Sequence, residues 1–140
     1  IRTSMLDAKS CKEEFLGSFD RVIADVPCSG LGIIRKKPDI RYKDLGLLEV
    51  LPQVQREILH NVASYVKPGG LLLYATCTLL ERENEAVVRE FLDRRKDFAL
   101  ESFQLPQPIG AVEEGMLTLW PHIHQTDGFF MALLRRNCHD

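Results

Sequence analysis

Two cysteines carry the chemistry that this sequence could perform. Cys28 lies in the stretch DVPCSG, where Asp25, Pro27 and the thiol end a short apolar run, and Cys77 ends a second such run, LLLYATC. A thiol attacks as the thiolate, so a nearby cation or helix N-terminus that lowers its pKa would activate it. Asp25 could orient a substrate amide or share a proton with a ring nitrogen. These groups suit covalent catalysis by a thiol, and equally thiol peroxidase or disulfide-exchange chemistry.

Alternating apolar and amphipathic runs predict the elements that position these residues. The runs RTSMLDA, FDRVIADV and GGLLLYATC each predict a strand, the first ending at Asp7. Apolar residues that recur every four positions predict a helix over about 50–66, with Pro52 in its first turn and KPGG ending it. A second amphipathic helix is predicted to begin directly after the second thiol. The run GFFMALLRR predicts a last strand, antiparallel to its neighbour.

This order of elements predicts where the candidate residues meet. A strand, a helix and a parallel strand form a right-handed crossover, which places the carboxyl ends of both strands at one edge of the sheet. Ligands of open α/β sheets bind at that edge. The two thiols are therefore expected to lie together there, with Asp7 and Asp25, although they are distant in sequence. The unbroken apolar run 71–75 predicts a strand that is covered on both faces.

Composition excludes several classes of protein. The 140 residues are 45% hydrophobic and 27% charged, as in a single globular domain, and the net charge of −2 argues against nucleic-acid attraction over the whole surface. No apolar run approaches the roughly 20 residues of a membrane span, and no signal peptide is visible. The four cysteines lack the close CxxC spacing of a zinc site. We therefore expect reduced, cytoplasmic thiols, no metal and no membrane partner.

Three stretches resemble one known family. FDRVIADVPCSGLGIIRKKPDIRY, KPGGLLLYATCTLLERENEAVV and PHIHQTDGFFMALL are similar to the Sun-type (Fmu-type) RNA cytosine-5 methyltransferases, a resemblance that runs from Asp7 to about Arg135. It implies an α/β fold, the carboxyl-terminal half of a Rossmann-like sheet that is mostly parallel with an antiparallel last strand. It also implies S-adenosylmethionine as cofactor and RNA, ribosomal RNA first, as partner.

The resemblance assigns roles to the candidate site. Cys77 would attack C6 of a cytosine, and Cys28 would assist release of the methylated RNA. Asp25 would contact the cytosine and, with Pro27, lie against S-adenosylmethionine. Asp7 would contact the adenine side of that cofactor.

Two further segments take roles from the same resemblance. Arg35, Lys36 and Lys37 match a basic loop that holds RNA phosphates. The closing motif Asp127-Gly128-Phe129-Phe130 would shape the pocket.

The sequence also departs from the family. The family's first strand, its Gly-rich cofactor loop and its N-terminal RNA-binding domain have no counterpart among residues 1–140. We therefore expect a partial catalytic domain, part of a longer protein, that binds S-adenosylmethionine weakly when alone. Three alternatives stay open: a DNA-type arrangement in which Cys28 attacks, a transfer RNA substrate, and a non-catalytic RNA-binding half-domain.

Overall fold

The computed structural model describes residues 2–138 of the chain. Helices and strands alternate through most of this range, and short 3₁₀ turns lie at Glu13–Phe15, Pro38–Tyr42 and Glu81–Glu83. The elements are, in order, β1 (Phe19–Asp25), α1 (Leu45–Ala63), β2 (Val66–Thr76), α2 (Glu85–Arg94), β3 (Phe98–Leu100), β4 (Phe103–Gln104), β5 (Ala111–Val112), β6 (Met116–Leu119), α3 (Pro121–His124) and β7 (Phe129–Arg136).

The main sheet has the strand order β1-β2-β7-β3, and β6 continues beside β7 after β3. β1 and β2 pair in parallel, and β7 pairs antiparallel with β2, β3 and β6. β7 therefore runs opposite to the other four strands of this sheet. The predicted α/β fold with an antiparallel last strand is confirmed.

The crossover β1–α1–β2 brings the two candidate strands side by side. Asp25 is in register with Ala75, so β1 and β2 end next to each other. Because both strands are parallel, Cys28 and Cys77 leave the sheet at the same edge. The predicted meeting of the two strand ends is thus confirmed.

The hydrophobic core lies between the sheet and the helices α1 and α2. Ala63 of α1 and Val88 of α2 are fully buried, and the rings of Phe91 and Phe98 meet edge to face at 5.3 Å. The opposite face of the sheet is less covered: Ile23 is 70% exposed, and alternate residues of β2 are only half-buried. In the described part of the chain, β2 is therefore well covered on one face only, whereas the sequence predicted cover on both faces.

The predicted bounds of α1 were wrong at both ends. The helix begins at Leu45, where the Asp44 carboxylate caps it by accepting a hydrogen bond from Gly46 N (2.8 Å), and it ends at Ala63. Pro52 therefore lies inside the helix and not in its first turn. KPGG belongs to β2, where the register with β1 shifts between Phe19 and Arg21. A bulge accommodates these residues because Gly69 adopts a positive φ of 77°.

Two further predictions were wrong. α2 begins at Glu85, well after Cys77, so the thiol does not sit directly before a helix N-terminus. RTSMLDA forms no strand over residues 2–7, and Met5 is fully exposed. An apolar run becomes a strand only where a neighbour pairs with its backbone, and this run has no pairing partner in the part of the chain that the structure describes.

Candidate active site

The two thiols meet at the carboxyl edge of β1 and β2. Their sulfur atoms are 3.1 Å apart, and the backbone N–H of Cys77 also donates to the Sγ of Cys28 (3.3 Å). Both side chains are half-buried. A separation of 49 residues in sequence has become direct contact, as the crossover predicted.

Burial affects the titration of Cys28. Burial, followed by the hydrogen bond to Cys77, raises the pKa of the Cys28 thiol well above its ordinary value. Burial thus favours the protonated form of Cys28, and either sulfur can donate in the contact between the two thiols. Position separates them more clearly, because Cys77 lines the neighbouring cavity and Cys28 does not.

A cavity of about 540 Å³ opens beside Cys77. Asp25, at the exposed end of β1, and Lys36, on the loop after Cys28, line it. The rest of the lining is mostly apolar. Cys77 thus borders a space that also holds one carboxylate and one ammonium group, an arrangement that can bind a polar ring against an apolar wall. The remaining lining residues are Ile23, Ile33, Ala75, Thr76, Phe129, Phe130 and Met131.

Backbone hydrogen bonds join the three segments that carry the site. Val26 N donates to Ala75 O (3.3 Å), which extends the β1–β2 ladder as far as the Cys28 turn. Gly32 N donates to Cys77 O (2.9 Å), and Gly128 N donates to Gly32 O (2.7 Å). A Cβ built on Gly32 would stand 2.0 Å from the carbonyl oxygen of Gly128, so only glycine allows this approach.

The basic loop is held by a buried carboxylate. Asp127 is 5% exposed and accepts from Lys36 Nζ (2.5 Å) and from an Arg35 guanidinium nitrogen (3.3 Å). The hydrogen bond from Lys36, with the charge of Arg35 beside it, holds the pKa of Asp127 below its usual range. Both cations remain largely exposed, Lys36 lines the cavity, and Lys37 is exposed next to them.

Asp7 does not join the other candidate residues. Its carboxylate accepts a hydrogen bond from Lys9 N (3.0 Å), and the residue lines a separate cavity with Phe19 and Tyr65 near the start of β1. The prediction that Asp7 lies at the same edge as the thiols was wrong. The reason is that RTSMLDA forms no strand, so no pairing with the sheet places Asp7 at the carboxyl edge.

Sequence reasoning missed two buried polar residues behind the thiols. Glu83 and Gln55 are both fully buried, and Gln55 Nε2 donates to Glu83 Oε2 (2.8 Å) and to the carbonyl oxygen of Pro27 (3.0 Å). The sequence held a clue, since Gln55 occupies a helical position between the apolar residues Leu51 and Ile58–Leu59. A polar residue on a buried stripe implies a buried polar partner. In the stretch ERENE, Glu83 resembles its acidic neighbours near a helix N-terminus, so its burial is not visible from the sequence.

No cluster of three or more His, Cys, Asp or Glu side chains with the geometry to hold a metal ion occurs within residues 2–138. In the same range, no helix has the length and apolar character needed to cross a membrane.

Comparison with known proteins gives consistent matches. The family described as 16S rRNA methyltransferase RsmB/F matches residues 1–135. The probable ribosomal RNA small subunit methyltransferase B of Synechocystis sp. is 43% identical over an alignment of 121 positions, which covers 84% of this chain. The protein of the same name from Bacillus subtilis is 39% identical over an alignment of 143 positions, which covers 97% of this chain. Among solved structures, NSun6 from Pyrococcus horikoshii with SFG matches with a TM-score of 0.74 and 32% identity over 99% of this chain.

These relatives are all much longer than the matched region. The chain spans 27% of the Synechocystis protein, 32% of the Bacillus subtilis protein and 34% of the NSun6 chain.

Proposed function

The chain belongs to the 16S rRNA methyltransferase RsmB/F family, and from that premise we propose that the protein methylates C5 of a cytosine in RNA, with 16S ribosomal RNA as the first candidate. One observation supports this chemistry most strongly: the sulfurs of Cys28 and Cys77 lie 3.1 Å apart, and Cys77 lines a cavity that Asp25 also lines. One sulfur can bond to the base while the other exchanges a proton with the first sulfur.

Cys77 makes the covalent bond in this proposal. Its thiolate adds to C6 of the ring, which moves an electron pair towards C5 and makes that carbon nucleophilic. Asp25 accepts a hydrogen bond from the exocyclic amine of the ring and shares a proton with N3, which stabilises the charge that develops. After C5 has gained the methyl group, a base removes the C5 proton and the bond between C6 and Cys77 breaks.

Cys28 takes the other role because its sulfur touches that of Cys77 and burial favours its protonated form. A neutral S–H that touches the Cys77 sulfur can donate to that sulfur as it leaves C6, which speeds release of the methylated base. This division of roles differs from the DNA-type arrangement, in which Cys28 would attack.

The methyl donor is proposed to be S-adenosylmethionine, which supplies the methyl group as a sulfonium. The residues present fit part of such a ligand: Asp25 offers an exposed carboxylate on the wall of the cavity, and Ile23 and Phe129 offer apolar surface. Pro27 is exposed beside the same edge. Asp7 remains a proposed contact for the adenine side of S-adenosylmethionine. The cofactor would then have to reach from the cavity at Asp25 to the separate cavity at Asp7, near the start of β1.

The RNA partner is proposed to meet the basic loop. A base within a stack cannot present C6 to Cys77, so the target cytosine must be unstacked or single-stranded. Lys36 lines the cavity, and Arg35 and Lys37 are exposed next to it in the chain, so these cations can hold the phosphates that neighbour the base. The same proposal places the protein in the cytoplasm with its RNA.

Methyl transfer tests the proposal directly. The intact protein is incubated with S-adenosylmethionine and either unmethylated 16S ribosomal RNA or transfer RNA, and the digested RNA is analysed for 5-methylcytosine by mass spectrometry. We expect 5-methylcytosine in the ribosomal RNA, and its loss with Cys77→Ala. Product in transfer RNA alone would redirect the substrate, and RNA binding without any product would favour the non-catalytic alternative.

A further inference from the structure

We propose that Glu83 is the positioning residue of the two thiols: its buried carboxylate, together with Gln55, fixes the Cys28 turn against Cys77. The catalytic importance of this position depends on the proposed function, but the geometric claim can be tested without RNA or cofactor.

The contacts of Glu83 are directed at the backbone around Cys28. Its Oε2 accepts from the N–H of Ser29 (2.9 Å) and from Gln55 Nε2 (2.8 Å). Gln55 Nε2 also donates to the carbonyl oxygen of Pro27 (3.0 Å). The residues on both sides of Cys28 are thus held by one carboxylate–amide pair, which restricts the direction in which the thiol points.

Glu83 is in turn fixed to the strand that carries Cys77. The Tyr74 hydroxyl donates to the backbone carbonyl of Glu83 (2.6 Å), and both residues are fully buried. Next to Glu83, the side chain of Asn84 accepts from Thr76 Oγ1 (2.6 Å) and donates to the Thr78 carbonyl (3.0 Å). The segment after Cys77 therefore turns back beneath β2 and reaches the Cys28 turn from inside the fold.

A stabilising role for the fold alone explains this arrangement poorly. A fully buried carboxylate is costly unless its oxygens are hydrogen-bonded, and Glu83 Oε1 and Gln55 Oε1 have no partner among the described residues. An unsatisfied buried polar group in a native fold calls for an explanation, and a role at a reactive site is one. Here Oε2 accepts one hydrogen bond from Ser29 N, in the Cys28 turn, and one from Gln55 Nε2, which also donates to Pro27 O in that turn.

The test measures how close the thiols are held, through the disulfide that they can form. The intact protein is equilibrated with reduced and oxidised glutathione: oxidised glutathione takes up the two electrons and two protons of Cys28 and Cys77, which gives one disulfide and two molecules of reduced glutathione. Mass spectrometry of the quenched protein gives the fraction of disulfide, and hence the effective concentration of one thiol at the other.

We expect Glu83→Ala to lower this effective concentration by about tenfold, since a hydrogen-bond acceptor for two donors is lost. Glu83→Gln keeps one oxygen for those donors and should stay within about threefold of the native value. Glu81→Ala is the matched control, because Glu81 lies two positions away, is exposed and pairs with Arg89 at the surface; it should change nothing.

Two outcomes would overturn the proposal. A folded Glu83→Ala variant with an unchanged disulfide equilibrium would show that Glu83 serves the stability of the fold and not the thiols. Failure of the native protein to form the disulfide would remove the premise that the two thiols face each other. If Glu83→Ala does not fold, Gln55→Ala replaces it, with an expected decrease of about threefold, and no decrease again contradicts the claim. None of these results depends on methyl transfer, so the proposed function can fail separately.

Discussion

Gly32→Ala should destabilise the protein more than any ordinary change of glycine to alanine. The new Cβ would stand 2.0 Å from Gly128 O and 2.9 Å from Cys77 O, and both atoms belong to backbone that is itself hydrogen-bonded. Relieving the clash must separate the segments and weaken the bonds from Gly32 N and to Gly32 O. Overpacking costs about 1–3 kcal/mol and each backbone hydrogen bond contributes about 0.5–1.5 kcal/mol, so the expected loss is roughly 2–6 kcal/mol.

Denaturation by urea measures this loss as the change in the free energy of unfolding. Gly46→Ala is the matched control: its Cβ would lie 3.3 Å from the Asp44 carboxylate, a side chain that can move, and we expect a change below about 1 kcal/mol. If Gly32→Ala proved as stable as Gly46→Ala, the close approach of Gly32, Gly128 and Cys77 that builds the site would be refuted.

Two further predictions concern titratable groups. The guanidinium of Arg95, and then that of Arg136, lower the pKa of Asp97, so the stability that this carboxylate contributes is present above its ordinary pKa and is lost as the pH falls. Asp97→Asn should therefore lower the free energy of unfolding by about 1 kcal/mol at neutral pH, as measured by urea denaturation, and this loss should shrink below about pH 4. A loss that does not depend on pH would contradict the lowered pKa of Asp97. The second prediction follows from the raised pKa of Cys28: iodoacetamide should alkylate Cys28 at least about tenfold more slowly than the exposed Cys138 at about pH 8. Peptide mass spectrometry measures both rates. Equal rates would be inconsistent with the raised pKa.

The sequence predicted the centre of the site because local rules and topology agree there. Pro27 ends β1, and the apolar period of α1 identifies a crossover that brings β2 beside β1. The meeting of Cys28 and Cys77 follows from those features alone. The antiparallel last strand also follows, since the apolar run of β7 continues without a helix before it that is long enough for a parallel crossover.

The errors arose where a tertiary partner decides the outcome. RTSMLDA has the composition of a strand, but a strand requires a paired neighbour, and that requirement is not visible in the run itself. Glu83 looks like a solvated acid in ERENE, and only the path of the chain beneath β2 shows that it is buried. In the same way, Lys36 was predicted to meet phosphate, whereas the fold also supplies Asp127 as a buried partner from a distant segment.

In the proposed mechanism Cys77 attacks the base and Cys28 releases it. The most direct measurement mixes the intact protein, Cys28→Ala or Cys77→Ala with S-adenosylmethionine and 16S ribosomal RNA, and resolves the products on a denaturing gel. We predict that a covalent protein–RNA adduct accumulates with Cys28→Ala and is absent with Cys77→Ala. The opposite pattern, with the adduct retained by Cys77→Ala and lost with Cys28→Ala, would contradict this division of roles and assign the attack to Cys28.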